Sequence, residues 1–150
     1  MKSAGGLRQI AGVFVLAVAA YALFYSCIEE QRARKGPWQV VFETEDGKPV
    51  IVVSQPALRI QGVRVVFPSE DAGGNVAQRL SFDQAREVPF GVPFGKCVFQ
   101  DAQTLPGTVT FELFGHEIQL LPRVLTIDGV EHPWRSGETI ALPKLPGQRN

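Results

Sequence analysis

Nineteen consecutive residues without a formal charge constrain this chain more than anything else in it. Ile10 to Ile28 reads IAGVFVLAVAAYALFYSCI. As a helix rising 1.5 Å per residue, such a run spans about 28 Å, close to the hydrocarbon thickness of a bilayer. A helix is the one single-segment structure that satisfies its own backbone N–H and C=O groups where no water can. Tyr21 and Tyr25 sit toward its C-terminal end, where amphipathic rings favour the interface. Glu29, Glu30, Arg32, Arg34 and Lys35 then end the run. The segment is apolar all round, and no later stretch offers a partner helix, so a membrane span is expected rather than a buried core helix.

Two processed forms compete with a retained anchor. Lys2 and Arg8 supply the basic flank of a signal peptide, and Ala20-Tyr21-Ala22 offers small residues around a cut. The apolar run continues past that point to Ile28, which favours the uncleaved form. Phe24-Tyr25-Ser26-Cys27 resembles a lipobox only in the small residue before Cys27, with aromatics where small or aliphatic residues belong. The basic flanks on the two sides nearly tie. The short N-terminal flank favours a signal-anchor with the following domain on the non-cytoplasmic side.

The chain of 150 residues therefore divides into an N-terminal flank (1–9), a transmembrane helix (10–28), a charged linker (29–37), a β-rich domain (38–142) and a polar, Pro-rich tail (143–150). The short linker ends in Gly36-Pro37 and leaves little slack between bilayer and domain. Roughly 115 residues follow the apolar segment, enough for one domain with a real core. Fifteen Lys and Arg balance fifteen Asp and Glu. Past residue 30 the charges cancel again. Nucleic-acid binding needs a basic stripe to neutralise phosphates, so no nucleic-acid partner is expected. Cys27 and Cys97 are too few for a disulfide framework or a thiolate metal site, and both read as small hydrophobes.

From Trp38 onward the apolar period is two, not 3.6. Trp38, Val40 and Phe42 alternate with Gln39, Val41 and Glu43, Asp46-Gly47 marks a tight turn, and Val50 to Val53 returns. Leu58 to Phe67 alternates with a reset at Gly62, the mark of a bulge. Pro68 to Asn75 is a loop, and Val76 to Phe82 a further strand. Val109, Phe111 and Leu113 give the cleanest alternation of all. Gly115-His116 reads as the next two-residue loop, followed by strands over Glu117–Leu121, Arg123–Ile127 and Val130–Trp134, with Asp128-Gly129 as a turn. Thr139–Leu142 is expected to close the sheet, and Asp83 to cap a single helical turn over Phe82–Glu87. The fold class expected is all-β: a small antiparallel β-sandwich or barrel behind one N-terminal transmembrane helix.

The tandem Val88-Pro89-Phe90-Gly91 and Val92-Pro93-Phe94-Gly95 is the most unusual motif in the chain. Pro and Gly exclude a regular central strand. The economical reading is a wide connecting loop whose Phe90 and Phe94 plug the end of the sandwich. The functional reading is an aromatic edge, Phe90 and Phe94, that docks a partner. His116 reads as a solvated turn histidine, His132 as a strand residue, and the two approach only if their hairpins align. Asp128 is accounted for by its turn, Trp38 and Trp134 by core packing. Ser54, Ser69, Ser81 and Ser136 lie in no nucleophile-elbow context, and Gly73-Gly74 in an acidic loop is no phosphate cradle.

No catalytic residue, metal site or cofactor is therefore expected. The leading expectation is a membrane-tethered, non-catalytic β-domain serving as an interaction or accessory subunit of a membrane or envelope complex, with the lipid bilayer and a membrane protein as its partners. A tethered small-ligand-binding β-barrel, with Phe90 and Phe94 at its mouth, is the alternative. An envelope enzyme using His116, His132, Glu117 or Glu131, or a lipoprotein, is the third.

Overall fold

The computed structural model describes residues 3–33 and 36–147, with side chains over 5–27 and 36–147. Two compact units emerge: the N-terminal helix, and everything from residue 35 onward. Arg34 and Lys35 of the expected linker, and the last three residues of the expected tail, lie outside the described residues.

Helix α1 runs Ser3–Ala33. It is longer than the charge-free run at both ends, because a polar residue is no obstacle to helical backbone. Thus much of the expected linker is its last turn. The stretch Gly5–Cys27 is long and apolar enough to cross a membrane.

The second unit is almost wholly β. Strands β1 (Gln39–Glu45), β2 (Lys48–Gln55) and β3 (Ile60–Val66) follow one another, with a 3-10 turn at Pro56–Leu58. Strand β4 (Ala77–Ser81) comes after a long loop and pairs with β1 on its free side. Strands β5 (Phe90–Val92), β6 (Gly95–Gln100), β7 (Val109–Leu113), β8 (His116–Leu120), β9 (Val124–Ile127) and β10 (Val130–Pro133) then form a second sheet as one antiparallel meander. Strand β11 (Thr139–Ala141) returns to the first sheet and lies parallel to β3. The spatial orders are β11-β3-β2-β1-β4 and β10-β9-β8-β7-β6-β5. Among the described residues the sheets stay separate, each with two edges, so the barrel alternative is corrected. The expected helical turn over Phe82–Glu87 is also absent; that segment is irregular.

Local chemistry explains the turns. Asp46-Gly47, Phe114-Gly115 and Asp128-Gly129 each join neighbouring strands with two successive positive φ angles (51° and 77°, 50° and 79°, 51° and 79°). That is the signature of the mirror-image turns whose twist matches a hairpin. The second of these corrects an expectation: its loop is Phe114-Gly115, not Gly115-His116. Glycine takes the second place in all three, and Leu113 then pairs with His116. A phenylalanine at positive φ costs about 1–2 kcal/mol. Packing offsets that strain, since the Phe114 ring lies 5.1 Å from Phe67 and 5.8 Å from Phe94. At Gly62, with φ 60°, the strand slips one residue against β2, so Ile60, Val63 and Val65 all face inward.

The inner faces of both sheets share one core. Val40, Phe42, Ile51, Val53, Val63 and Val65 come from the first, and Cys97, Val109, Phe111, Leu113, Ile118, Leu120, Leu125 and Ile127 from the second. Phe42 meets Phe111 edge-on across the sheets at 5.9 Å, and Phe82 meets Phe111 at 5.5 Å. Offset and edge contacts of this kind add about 0.5–1.5 kcal/mol beyond burial. Phe111→Ala is expected to destabilise the domain by about 3–5 kcal/mol in denaturant titration, whereas Arg79→Ala, exposed on edge strand β4, should stay within about 0.5 kcal/mol.

Candidate functional site

The tandem VPFG motif folds as a tight hairpin rather than a wide loop. Phe90, Gly91 and Val92 form β5, Pro93-Phe94 makes the turn, and Gly95 opens β6. Pro93 first and Phe94 second, the latter at φ 72°, is the combination that type II turns use. Neither proline costs a ladder bond, because Pro89 precedes β5 and Pro93 lies in the turn. Gly95 is required for another reason: a Cβ there would collide with the Glu112 carbonyl oxygen of β7. The bond between Val88 and Pro89 is cis.

The two candidate aromatics go to different places. Phe94 is half-buried, 6.1 Å from Phe42 and stacked at 5.8 Å on Phe114, so it belongs to the core's rim. Phe90 is half-buried too, with the Arg86 guanidinium 5.3 Å above its ring. The exposed aromatic at this edge is Phe99, with 50% of its surface open, near Val88 at 37%. A bulge in β6 puts it there. Cys97 pairs with Phe111 facing inward, but the register slips before Phe99, which pairs with Thr110 and faces outward. Strict alternation places Cys97 and Phe99 on one face, and nothing in the sequence marks the slip. The Gln100 amide donates to the Gln84 carbonyl at 2.7 Å, holding the loop before β5 against this strand.

His116 is the largest correction. It is the first residue of β8, only 3% exposed, not a solvated turn residue. Its Nδ1 lies 2.6 Å from Asp128 Oδ2 and its Nε2 3.0 Å from the Pro143 carbonyl oxygen. Asp128 does more than make a turn: its Oδ1 also accepts the Glu117 backbone N–H at 2.9 Å. His132 does not join them. It pairs with Leu125, which pairs with Leu120, four residues along β8 from His116. At about 3.3 Å per residue that is roughly 13 Å along the strand alone. Glu117 engages Gln119 at 2.7 Å, and Glu131 is exposed on β10. Among the described residues no group of three His, Cys, Asp or Glu side chains is placed to hold a metal ion.

Other buried polar groups serve the frame. Gln55 is fully buried; its amide donates to the Gly36 carbonyl and its Oε1 accepts from Ala57 N–H at 3.0 Å. Trp38 is buried and Trp134 half-buried, their rings 5.1 Å apart. The Trp38 indole donates to the Gly107 carbonyl at 2.7 Å, and that of Trp134 to the Leu121 carbonyl at 2.8 Å. Cys97 is wholly buried, and burial pushes its thiol from 9.0 up to about 11.

No family model, curated protein or solved structure matches this chain.

The buried, protonated thiol makes a direct prediction. At pH near 8 a maleimide should leave Cys97 unmodified in the folded chain and label it fully in denaturant, as intact mass will show. Gln55→Ala should cost about 1–3 kcal/mol by leaving the Gly36 carbonyl without its buried donor.

Proposed function

We propose that this protein is a single-pass, membrane-tethered β-sandwich domain that works without catalysis as an interaction or accessory subunit of a membrane or envelope complex. The observation that carries this reading is the pairing of an apolar helix with an exposed aromatic at an open sheet edge. Helix α1 presents Leu7, Ile10, Phe14, Leu16, Leu23 and Phe24 with about two-thirds or more of each exposed. At about 25 cal/mol per Å² such a surface is costly in water and finds its natural solvent in a bilayer. In the domain, Phe99 and Val88 stand beside edge strand β5, where a partner gains both apolar contact and open strand backbone.

The non-catalytic part of the proposal draws support from His116, the one buried imidazole. Both of its nitrogens face oxygens of the chain itself, Asp128 Oδ2 and the Pro143 carbonyl. In this proposal the domain lies on the non-cytoplasmic side of the membrane.

A photo-crosslinking amino acid at position 99, in the full chain and in its native membrane, should give one dominant protein adduct. The same probe at Arg79, exposed on the opposite sheet, should give none. Equal labelling at the two positions, or none at either, would sink the reading. For orientation, a cysteine replacing Asp71 in the exposed loop should react with a membrane-impermeant maleimide in intact cells; reaction only after lysis would reverse the assignment.

A further inference from the structure

The C-terminal strap, residues 138–143, is held to the β domain by few contacts. Strand β11 has three residues, two of them exposed, and it pairs with β3 in parallel. Backbone bonds tie it from Arg64 N–H to Glu138 and from Leu142 N–H to Val66, at 2.8 and 2.9 Å. Leu142 is its one fully buried side chain, with Ile140 half-buried. Few buried contacts and open hydrogen bonds mark a segment that opens at low cost. What holds its end is a side chain of the other sheet: His116, through Nε2 and the Pro143 carbonyl.

The chemistry of that contact is one-sided. A peptide carbonyl carries no proton, so Nε2 must supply one. Nδ1 faces the Asp128 carboxylate at 2.6 Å, and a single proton lies between those two atoms. The complete arrangement therefore needs a proton on each side of the ring. If the ring loses one, the carboxylate keeps the proton at Nδ1, because that hydrogen bond is charge-assisted. The bare lone pair then falls on Nε2, against the Pro143 oxygen. Deprotonation thus strikes the strap and spares the Asp128 turn.

The remaining ionisable groups on the elements around His116 are few. Glu117 on its own strand is held by Gln119, and Glu112 on β7 is held by Lys96 at 2.9 Å. Lys144 follows Pro143 in the strap, and Glu70 follows the end of β3, where Phe67 lies 6.0 Å from the imidazole ring.

We propose that His116 is a proton-dependent latch: its doubly protonated ring clamps the strap through Pro143, and loss of the Nε2 proton loosens the strap and uncovers the outer edge of β3. This stands independently of what the domain binds.

The test uses the isotopically labelled full chain in detergent micelles, followed by NMR across the pH range in which the domain stays folded. Ring nitrogen shifts report the protons on His116, and amide-exchange protection factors report the strap at Leu142. The expected result is loss of the proton at Nε2, not Nδ1, with protection at Leu142 falling by about tenfold while Phe111 in the core is unchanged. Protection at Leu142 that stays constant over the range, or loss of the Nδ1 proton first, overturns the proposal. His116→Gln should leave Leu142 weakly protected at every pH; the same pH-dependent loss in that variant also overturns it. Should the variant fail to fold, the wild-type titration decides alone.

Discussion

The β domain depends on a contact between two rings. Phe42, from the middle of β1, meets Phe111, from the middle of β7, almost at right angles. Each sheet is a sheet only because it has something to bury its inner face against, and this is where the two faces join. Phe82 presses on Phe111 from the segment that carries the chain between sheets, and Phe94 presses on Phe42 from the β5–β6 turn. The aromatic centre thus recruits a crossover and a turn as well as two strands. Each connection is positioned by an apolar side chain rather than by its own backbone preference.

Around that centre the rim is tied by side-chain donors that are buried or half-buried. Trp38 reaches Gly107, Trp134 reaches Leu121, Gln55 reaches Gly36 and His116 reaches Pro143. In every case a side chain from one element satisfies a backbone carbonyl of an irregular segment. Such segments lack a full ladder of backbone bonds, and a buried carbonyl without a partner costs about 1–3 kcal/mol. The buried polar residues are therefore the means by which loops are fastened to strands.

Much of the fold is legible in the sequence where physics is local. Val109, Phe111 and Leu113 alternate because one face of β7 is buried, and Asp46-Gly47 and Asp128-Gly129 announce their turns. The Gly62 reset is read correctly because only a slipped register reconciles Ile60 with Val63 and Val65. Legibility fails where a distant residue decides. Phe114 enters a left-handed turn because Phe67 and Phe94 receive its ring, a contact between residues far apart in the chain. Moving that loop by one residue takes His116 from solvent to core. Phe99 turns outward at a bulge that no glycine or proline flags, so the exposed aromatic of that edge is not one of the two phenylalanines of the tandem motif.

The same distribution of apolar surface bears on what the two units can do. Nearly every large apolar side chain of the β domain is packed inside, and Val88, Phe99 and Val130 are its exposed exceptions among the described residues. Helix α1 is the reverse, with its apolar side chains exposed on every side. A domain with a filled core gains nothing from lipid, and a helix with no polar face gains nothing from water. Each unit is therefore stable in the environment that would be unfavourable for the other. Within the domain, packing is least complete at the apolar residues beside β5 and at the edge of β3, which the short strand β11 covers with half-buried and exposed side chains.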